Sequence, residues 1–400
     1  MNRINFRRVF VIAGLASLAV VYVVLWMRMI TSPPERTGTD FVGFYAAARI
    51  AQTEGAGWIY KPVLQQKIEQ ELVGFPLVPG QILLFNHMPY LVPILSLLVN
   101  ANYVASFIRW TLLLLIFILI DTALLMSLTS TLGIDKKSSL ILLAGTILFF
   151  PLFTSVMNGQ DIVFALLGVI LCLVGLLSGR SALAGIGLCL TTIRPQVAIL
   201  LAVPFLFKQR KVWGWFAAGV SVLFFFVLFY LGWEGTKRFV DILLVSSRGD
   251  WYGLHPEDMP TLTGALHRTF PDLSGTTISV IGLIGYALAI GCLCFLWFRS
   301  VRIGEREIGL AVLAAIVFTP YLHYHDLTLL IIPLFCVVRT PSSLRKENLV
   351  LFPLGVSFLF LLGFFVTAIR YPIVLIVVVG LAVILLNPGI VRRFENMRHA

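Results

Sequence analysis

The feature that most restricts this chain is a repeated pattern: long apolar runs with short basic clusters between spans. Such runs recur from Val9–Ile30 almost to the C-terminus. Inside lipid every backbone N–H and C=O must be satisfied within the structure, so a chain of this kind spans as helices. Composition agrees. Of 400 residues 59% are hydrophobic and only 12% are charged, against about 25% charged in a soluble domain. We therefore expect an all-α polytopic membrane protein, one integral membrane domain over residues 1–400. No small-residue cleavage site follows Val9–Ile30, so that run reads as a span rather than a secretory signal.

The formal charge of +11 raises the question of a nucleic-acid partner. Its distribution argues against one, because the basic residues sit between spans, as the positive-inside rule places them. The clusters are Arg3/Arg7/Arg8, Lys136/Lys137, Arg180, Lys208/Arg210/Lys211, Arg299/Arg302/Arg306, Arg339/Arg345/Lys346 and Arg392/Arg393/Arg398. Between them lie polar outer turns at Thr31–Ala101, Met157–Asp161, Thr192–Gln196, Gly232–Gly275, Pro320–Asp326 and Ala368–Pro372. Threading them gives roughly twelve passes, both termini cytoplasmic, and two long extracytoplasmic loops at 31–101 and 232–275. Most acids fall on the outer side. The expected location is the inner or plasma membrane, with the chemistry at its extracytoplasmic face. Ser181–Ile193 and Pro195–Phe207 are each too short to span, since a pass needs about 20 residues. They read as half-helices meeting at a cavity. The five cysteines all lie in apolar runs without metal-ligand spacing and read as small buried hydrophobes.

The polar residues of the outer turns are the candidates for chemistry. Asp40 opens Phe41–Gln52, where Phe41, Phe44, Tyr45, Ala48 and Gln52 approximate one helical face, suited to an interfacial helix. Asp40 is either an N-cap, whose carboxylate accepts backbone N–H bonds, or a general base at the membrane surface. A second short helix is expected over Pro62–Val73. Ile82–Pro93, "ILLFNHMPYLVP", reads as a re-entrant segment. "MNGQD" (157–161) is a turn by its Asn-Gly step, with Gln160 and Asp161 available to a ligand. Arg194 in "TTIRPQ" stands away from every basic cluster. Either it grips an anion such as phosphate, or it forms a structural salt bridge with Asp161 or Asp326. "PYLHYHD" (320–326) packs Tyr321, His323, His325 and Asp326 together. His residues two apart do not share a helical face and no third ligand is near, so sugar or phosphate hydrogen bonding suits them better than a metal. Arg109 and Asp121 share one span but are too far apart to pair, so each needs a partner on another helix. The motifs of soluble enzymes (Walker A, GxSxG, HExxH, the Rossmann fingerprint) are missing. With no soluble domain for a nucleotide sugar, any donor must arrive through the membrane.

In order, one span is followed by the acid–aromatic–alanine segment from Asp40, a Gly-then-"IY" step at Gly55–Tyr60, and the aromatic-proline segment Phe85–Pro93. Next come "NGQ" at Asn158–Gln160, Arg194-Pro195 before an apolar half-helix, and "TPYLHYHD" at Thr319–Asp326. Over about residues 10–340 this resembles the polyprenol-phosphate-mannose-dependent α-mannosyltransferases, glycosyltransferase family 87, which includes proteins with a DUF2029 domain. The resemblance implies a GT-C fold with roughly 10–12 transmembrane helices and interfacial helices in the first outer loop. It implies transfer of a sugar such as mannose from a polyprenyl-phosphate donor to a glycan or glycolipid acceptor, usually with inversion. It needs no cofactor or metal, and its partners are membrane lipids, donor and acceptor, not nucleic acid. Asp40 falls at the family's base, and Arg194 at its cation near the broken helices. His323, His325, Asp326, Tyr321, Tyr45, Asn158, Gln160 and His87 complete the expected substrate-binding set. "NHMPY" replaces a "YPP"-like step, and Leu322 or Tyr324 replaces a late Trp. Two rivals share the architecture. A flippase for lipid-linked sugar would use Arg194 without a base, and an O-antigen-type ligase or polymerase also has many spans and large outer loops.

Overall fold

The computed structural model describes residues 6–78, 81–131, 136–247, 255–339 and 348–387. Among them every regular element is helical. The basic clusters at Arg3, Arg345/Lys346 and Arg392/Arg393/Arg398, and residues 248–254 of the second long loop, lie outside the described residues. The chain runs through α1 (Phe6–Thr31), α2 (Pro33–Thr37), α3 (Phe41–Thr53), α4 (Pro62–Val73), α5 (Val92–Leu98) and α6 (Tyr103–Thr131). It continues through α7 (Lys136–Ile147), α8 (Phe150–Met157), α9 (Ile162–Leu177), α10 (Ser181–Leu190), α11 (Pro195–Ala202), α12 (Phe205–Lys208) and α13 (Arg210–Ser247). The last elements are α14 (Leu262–Thr269), α15 (Gly275–Arg299), α16 (Glu305–Phe318), α17 (Ile331–Arg339), α18 (Asn348–Phe365) and α19 (Thr367–Leu386).

Among the described residues, five helical stretches are long and apolar enough to cross a membrane. These are Ile12–Thr31, Tyr103–Thr129, Arg210–Leu244, Gly275–Arg299 and Thr367–Leu386. Six shorter apolar helices of 10–17 residues accompany them. The chain is thus a polytopic helical membrane protein in which long helices surround a core of short ones. α9 is buried along nearly its whole length and packs chiefly against α10 and α6. Phe224, Phe225 and Phe229 on α13 are exposed instead, as suits a lipid-facing surface, because lipid tails solvate apolar side chains as well as a protein core does.

The half-helix expectation holds. α10 runs into a 3-10 turn at Thr191–Ile193, and Pro195 starts α11 one residue later. Proline at the first helical position is favoured because its missing N–H has no intrahelical partner. Arg194 sits in the break with φ −118° and ψ 84°. α13 carries a kink at Gly232 (φ 67°) and stays helical to Ser247, so the stretch assigned to a second outer loop begins as helix.

The structure widens the apolar face expected of α3: Phe41 to Ala48 and Ile50 are all buried, while Gln52 and Thr53 at its C-terminal end stay exposed. Its small residues let other chain segments close over it. The extended strap Ile82–Met88 passes so near that a Cβ on Gly43 would sit 2.5 Å from the Leu83 carbonyl oxygen. The strap is pinned by its main chain. Gln65 Oε1 accepts from Phe85 N (2.8 Å), Glu69 Oε2 accepts from Leu83 N (3.0 Å), and Tyr60 Oη donates to His87 O (2.6 Å). Glu69 is 2% exposed; burial pushes its carboxyl up to about 7, only partly opposed by the Leu83 N–H.

Candidate active site

Five segments far apart in sequence converge on one cavity of about 520 Å³. α3 brings Asp40, the strap brings His87, the 158–161 turn brings Gln160, and the α10–α11 break brings Arg194. The 320–326 segment adds Tyr321, His323, Tyr324, His325 and Asp326. The lining also includes the apolar residues Ile193, Pro195, Ile199 and Leu243, together with Tyr286, Asp258 and Arg370.

The turn at 158–161 positions two of these groups. Gly159 has φ +71°, and a Cβ there would lie 2.8 Å from Phe41 Cβ, so only glycine fits against the start of α3. Trp110 Nε1 donates to Gly159 O (2.7 Å), and Phe41 N donates to Asn158 O (3.1 Å). The turn is therefore clamped from two sides and delivers Gln160 and Asp161 inward.

Arg194 is the hub. Nε donates to Asp326 Oδ1 (2.9 Å) and Nη2 to Gln160 Oε1 (3.0 Å). Nη1 lies 2.9 Å from Asp161 Oδ1 and 3.1 Å from His87 Nδ1. The Asp161 Oδ1 contact is a charge contact without hydrogen-bond alignment. His87 Nδ1 also stands 3.0 Å from Asp161 Oδ2. The arginine only donates and the carboxylate only accepts, so the tautomer of His87 decides which of the two it serves. Burial alone would raise the Asp161 carboxyl; the Arg194 guanidinium, then His87, outweigh it and hold the group at about 2. Sequence offered Arg194 either a phosphate or a salt bridge to Asp161 or Asp326. The structure realises the ion-pair alternative with both acids at once. Arg194 is 6% exposed, and each of its nitrogens is engaged by the protein.

Asp326 anchors the last segment. Besides Arg194 it accepts from His323 N at Oδ2 (2.8 Å), and His325 Nε2 lies 3.6 Å from the same oxygen. Tyr321 Oη and His323 Nε2 are 2.8 Å apart. Burial, then the neighbouring His325, push His323 down to about 4, which leaves it neutral at physiological pH.

Asp40 behaves differently from the other two acids. It occupies the N-cap position of α3, yet its side chain makes no capping bond and its backbone is already helical (φ −58°, ψ −20°). The titratable group beside it is His325, with Nδ1 3.9 Å from Oδ2, and the Asp40 side chain is 35% exposed. A cap explains the position but not the orientation, which is into the cavity.

Two expected substrate-binding residues are not on the wall. Tyr45 is buried against Tyr103 and donates to Ala101 O (3.3 Å); α3 turns it away from the side that carries Asp40. Asn158 ends α8, and its main-chain carbonyl is spent on Phe41. Conversely, Arg370, Asp258 and Tyr286 line the cavity without having been singled out. Arg370 carried the same signal as Arg194: a cation in an outer turn, away from the basic clusters. Arg109 donates to Leu98 O (3.0 Å), while both carboxylate oxygens of Asp121 are buried without a hydrogen-bond partner. Among the described residues no group of three or more His, Cys, Asp or Glu is placed to hold a metal ion.

A helical membrane protein whose polar residues converge on one cavity beside an apolar wall is built to handle a ligand that is polar at one end. The family model of glycosyltransferase family 87 matches residues 88–320, more than half the chain, and the protein belongs to that family. It is a membrane glycosyltransferase. The match includes Gln160, Asp161 and Arg194, but Asp40, His87 and Tyr321–Asp326 lie outside it. No curated protein and no solved structure matches the chain.

Proposed function

We propose that the protein transfers a sugar, mannose by its resemblance, from a polyprenyl-phosphate donor to a hydroxyl of a glycan or glycolipid on the extracytoplasmic face, within a GT-C-type architecture. The observation that carries this reading is Asp40, a half-buried carboxylate aimed into the cavity, without a capping bond and without a close cation. The apolar wall at Ile193, Pro195, Ile199 and Leu243 suits the lipid part of the donor, and the polar wall suits sugar and acceptor.

The acceptor hydroxyl lies against Asp40. As its oxygen attacks the anomeric carbon, the carboxylate takes its proton, and the bond from that carbon to the phosphate oxygen breaks. The products are the glycosylated acceptor and the lipid phosphate. A phosphate leaves without a strong acid to protonate it, so one carboxylate suffices, unlike the pair of a glycosidase. General base help is worth roughly 10²–10⁴ in rate. His325 stands between Asp40 and Asp326, 3.9 Å and 3.6 Å from their carboxylates. Arg194 fixes Gln160, Asp161, His87 and Asp326 in one rigid wall, which makes it a positioning residue.

The test is transfer from polyprenyl-phosphate-mannose in membranes holding wild type or Asp40→Asn at equal folded amounts. The variant should lose transfer and keep its unfolding temperature. Transfer at the wild-type rate would remove Asp40 from the chemistry.

A further inference from the structure

We propose that Arg370 forms an anion subsite of this cavity and receives the phosphate of a lipid-phosphate ligand; this deepens the sugar-transfer reading and rests on it. The argument starts from the other cation. Arg194 is surrounded by two buried carboxylates, Gln160 and His87. Before any histidine gains a proton, that wall holds more acids than bases: Asp40, Asp161 and Asp326 against Arg194. A phosphate placed there meets net negative charge and a guanidinium whose nitrogens are already engaged, and like charge in a desolvated site is strongly unfavourable.

The lining around Arg370 is arranged otherwise. Arg370 lines the cavity near the start of α19. Its Nε and Nη2 donate to the carbonyls of Gly363 and Phe364, each at 3.2 Å, which fixes the plane of the guanidinium. The guanidinium carbon stands 5.7 Å from the centroid of the Tyr324 ring, whose hydroxyl is tied to Phe360 O (2.7 Å). Nη1 has Asp258 Oδ1 at 4.0 Å, beyond direct hydrogen-bond length, and Asp258 is itself 56% exposed. Asp258 is shared with Tyr371, whose hydroxyl donates to the same oxygen at 3.0 Å. Arg268 lies 3.6 Å above the Tyr371 ring and donates to the carbonyls of Glu257 and Met259. The result is a cation held in place by carbonyls with one edge turned to the cavity. A fixed guanidinium edge matches phosphate oxygens, and the bound anion would displace a loose, half-solvated carboxylate contact and share the guanidinium with the Tyr371 hydroxyl. The apolar residues Leu243 and Ile199 of the same cavity fit the chain attached to such a phosphate.

Binding to purified protein in detergent tests this without turnover, with geranylgeranyl phosphate, geranylgeraniol and inorganic phosphate as probes. Wild type should bind the phosphate ester about ten-fold more tightly than the alcohol, the scale of one charge-assisted contact. Arg370→Gln should erase that preference, and Arg370→Lys should keep part of it. Because Arg370 also closes the α18–α19 turn, Asp258→Asn is measured beside it. Removing the competing carboxylate should tighten the ester two- to three-fold, roughly the gain from a weak exposed pair. A folded Arg370→Gln that retains the full preference overturns the subsite, as does an Asp258→Asn that binds the ester no better than wild type. Either result leaves sugar transfer by Asp40 intact, which is read separately from product. Full competition by inorganic phosphate at the ester's own concentration overturns the lipid source.

Discussion

Arg194 and Arg370 face one cavity and differ chiefly in depth. Arg194 is buried, and its surroundings supply two carboxylates, an amide and an imidazole, so its charge is consumed by the protein. Arg370 is half-buried, held by two carbonyls, and its nearest acid is exposed and more than a hydrogen-bond length away. A cation deep in a membrane protein must carry its own counter-charge to exist at all. At Arg194 that counter-charge and its neighbours already engage every guanidinium nitrogen. The acids repeat the contrast: Asp161 and Asp326 pair with Arg194, and Asp40 has no cation within hydrogen-bond reach.

The comparison can be broken most forcefully at Asp40. Asp40→Asn should lower transfer by roughly 10²–10⁴ with little change in thermal unfolding, whereas Asp161→Asn and Asp326→Asn should change both. Equal behaviour of the three would mean that the division between Asp40 and the acids paired with Arg194 is wrong. Next in size is Arg194→Gln, which leaves two buried carboxylates without their cation. A loss of about 3–5 kcal/mol is expected, seen as a fall in unfolding temperature or in folded yield, with partial recovery when Asp161→Asn is added. An Arg194→Gln protein of wild-type stability would show that the cluster is not the strut described.

A smaller effect concerns Glu69 under the strap. The folded state holds its proton up to about 7, and the unfolded chain releases it near 4.5. Between those values the folded state binds more protons, so its stability falls as pH rises through the window. Glu69→Gln should flatten this part of the stability–pH curve and keep the bond to Leu83 N. Unfolding scans from pH 4.5 to 8 decide it; identical slopes for variant and wild type would rule the titration out. Smallest is Tyr45→Phe, which removes one long hydrogen bond to Ala101. It should cost about 0.5–1.5 kcal/mol and leave transfer unchanged; a large loss of transfer would return Tyr45 to the substrate site.

Much of the scaffold was legible because membrane threading leaves few choices. The broken pair around Arg194 followed from segment length alone, and the two acids that pair with it were both named. The α3 environment was not legible. Its aromatic stripe marks a helix with one preferred face, but only the strap crossing at Gly43 and the turn at Gly159 bury the remaining sides, and those contacts join segments tens to over a hundred residues apart. Arg370 was missed for a related reason. It lies beside Asp40's cavity only through the packing of α19, although its isolation from the basic clusters was visible in the sequence.

The strap carries one further consequence. Gln65, Glu69 and Tyr60 hold it by the main-chain atoms of Phe85, Leu83 and His87, so its path depends on residues that do not face the cavity. The half-buried Leu83 and Leu84 side chains, which line the cavity, can therefore be exchanged while the strap's course is preserved. A cavity wall built this way can change what it selects without rebuilding what supports it.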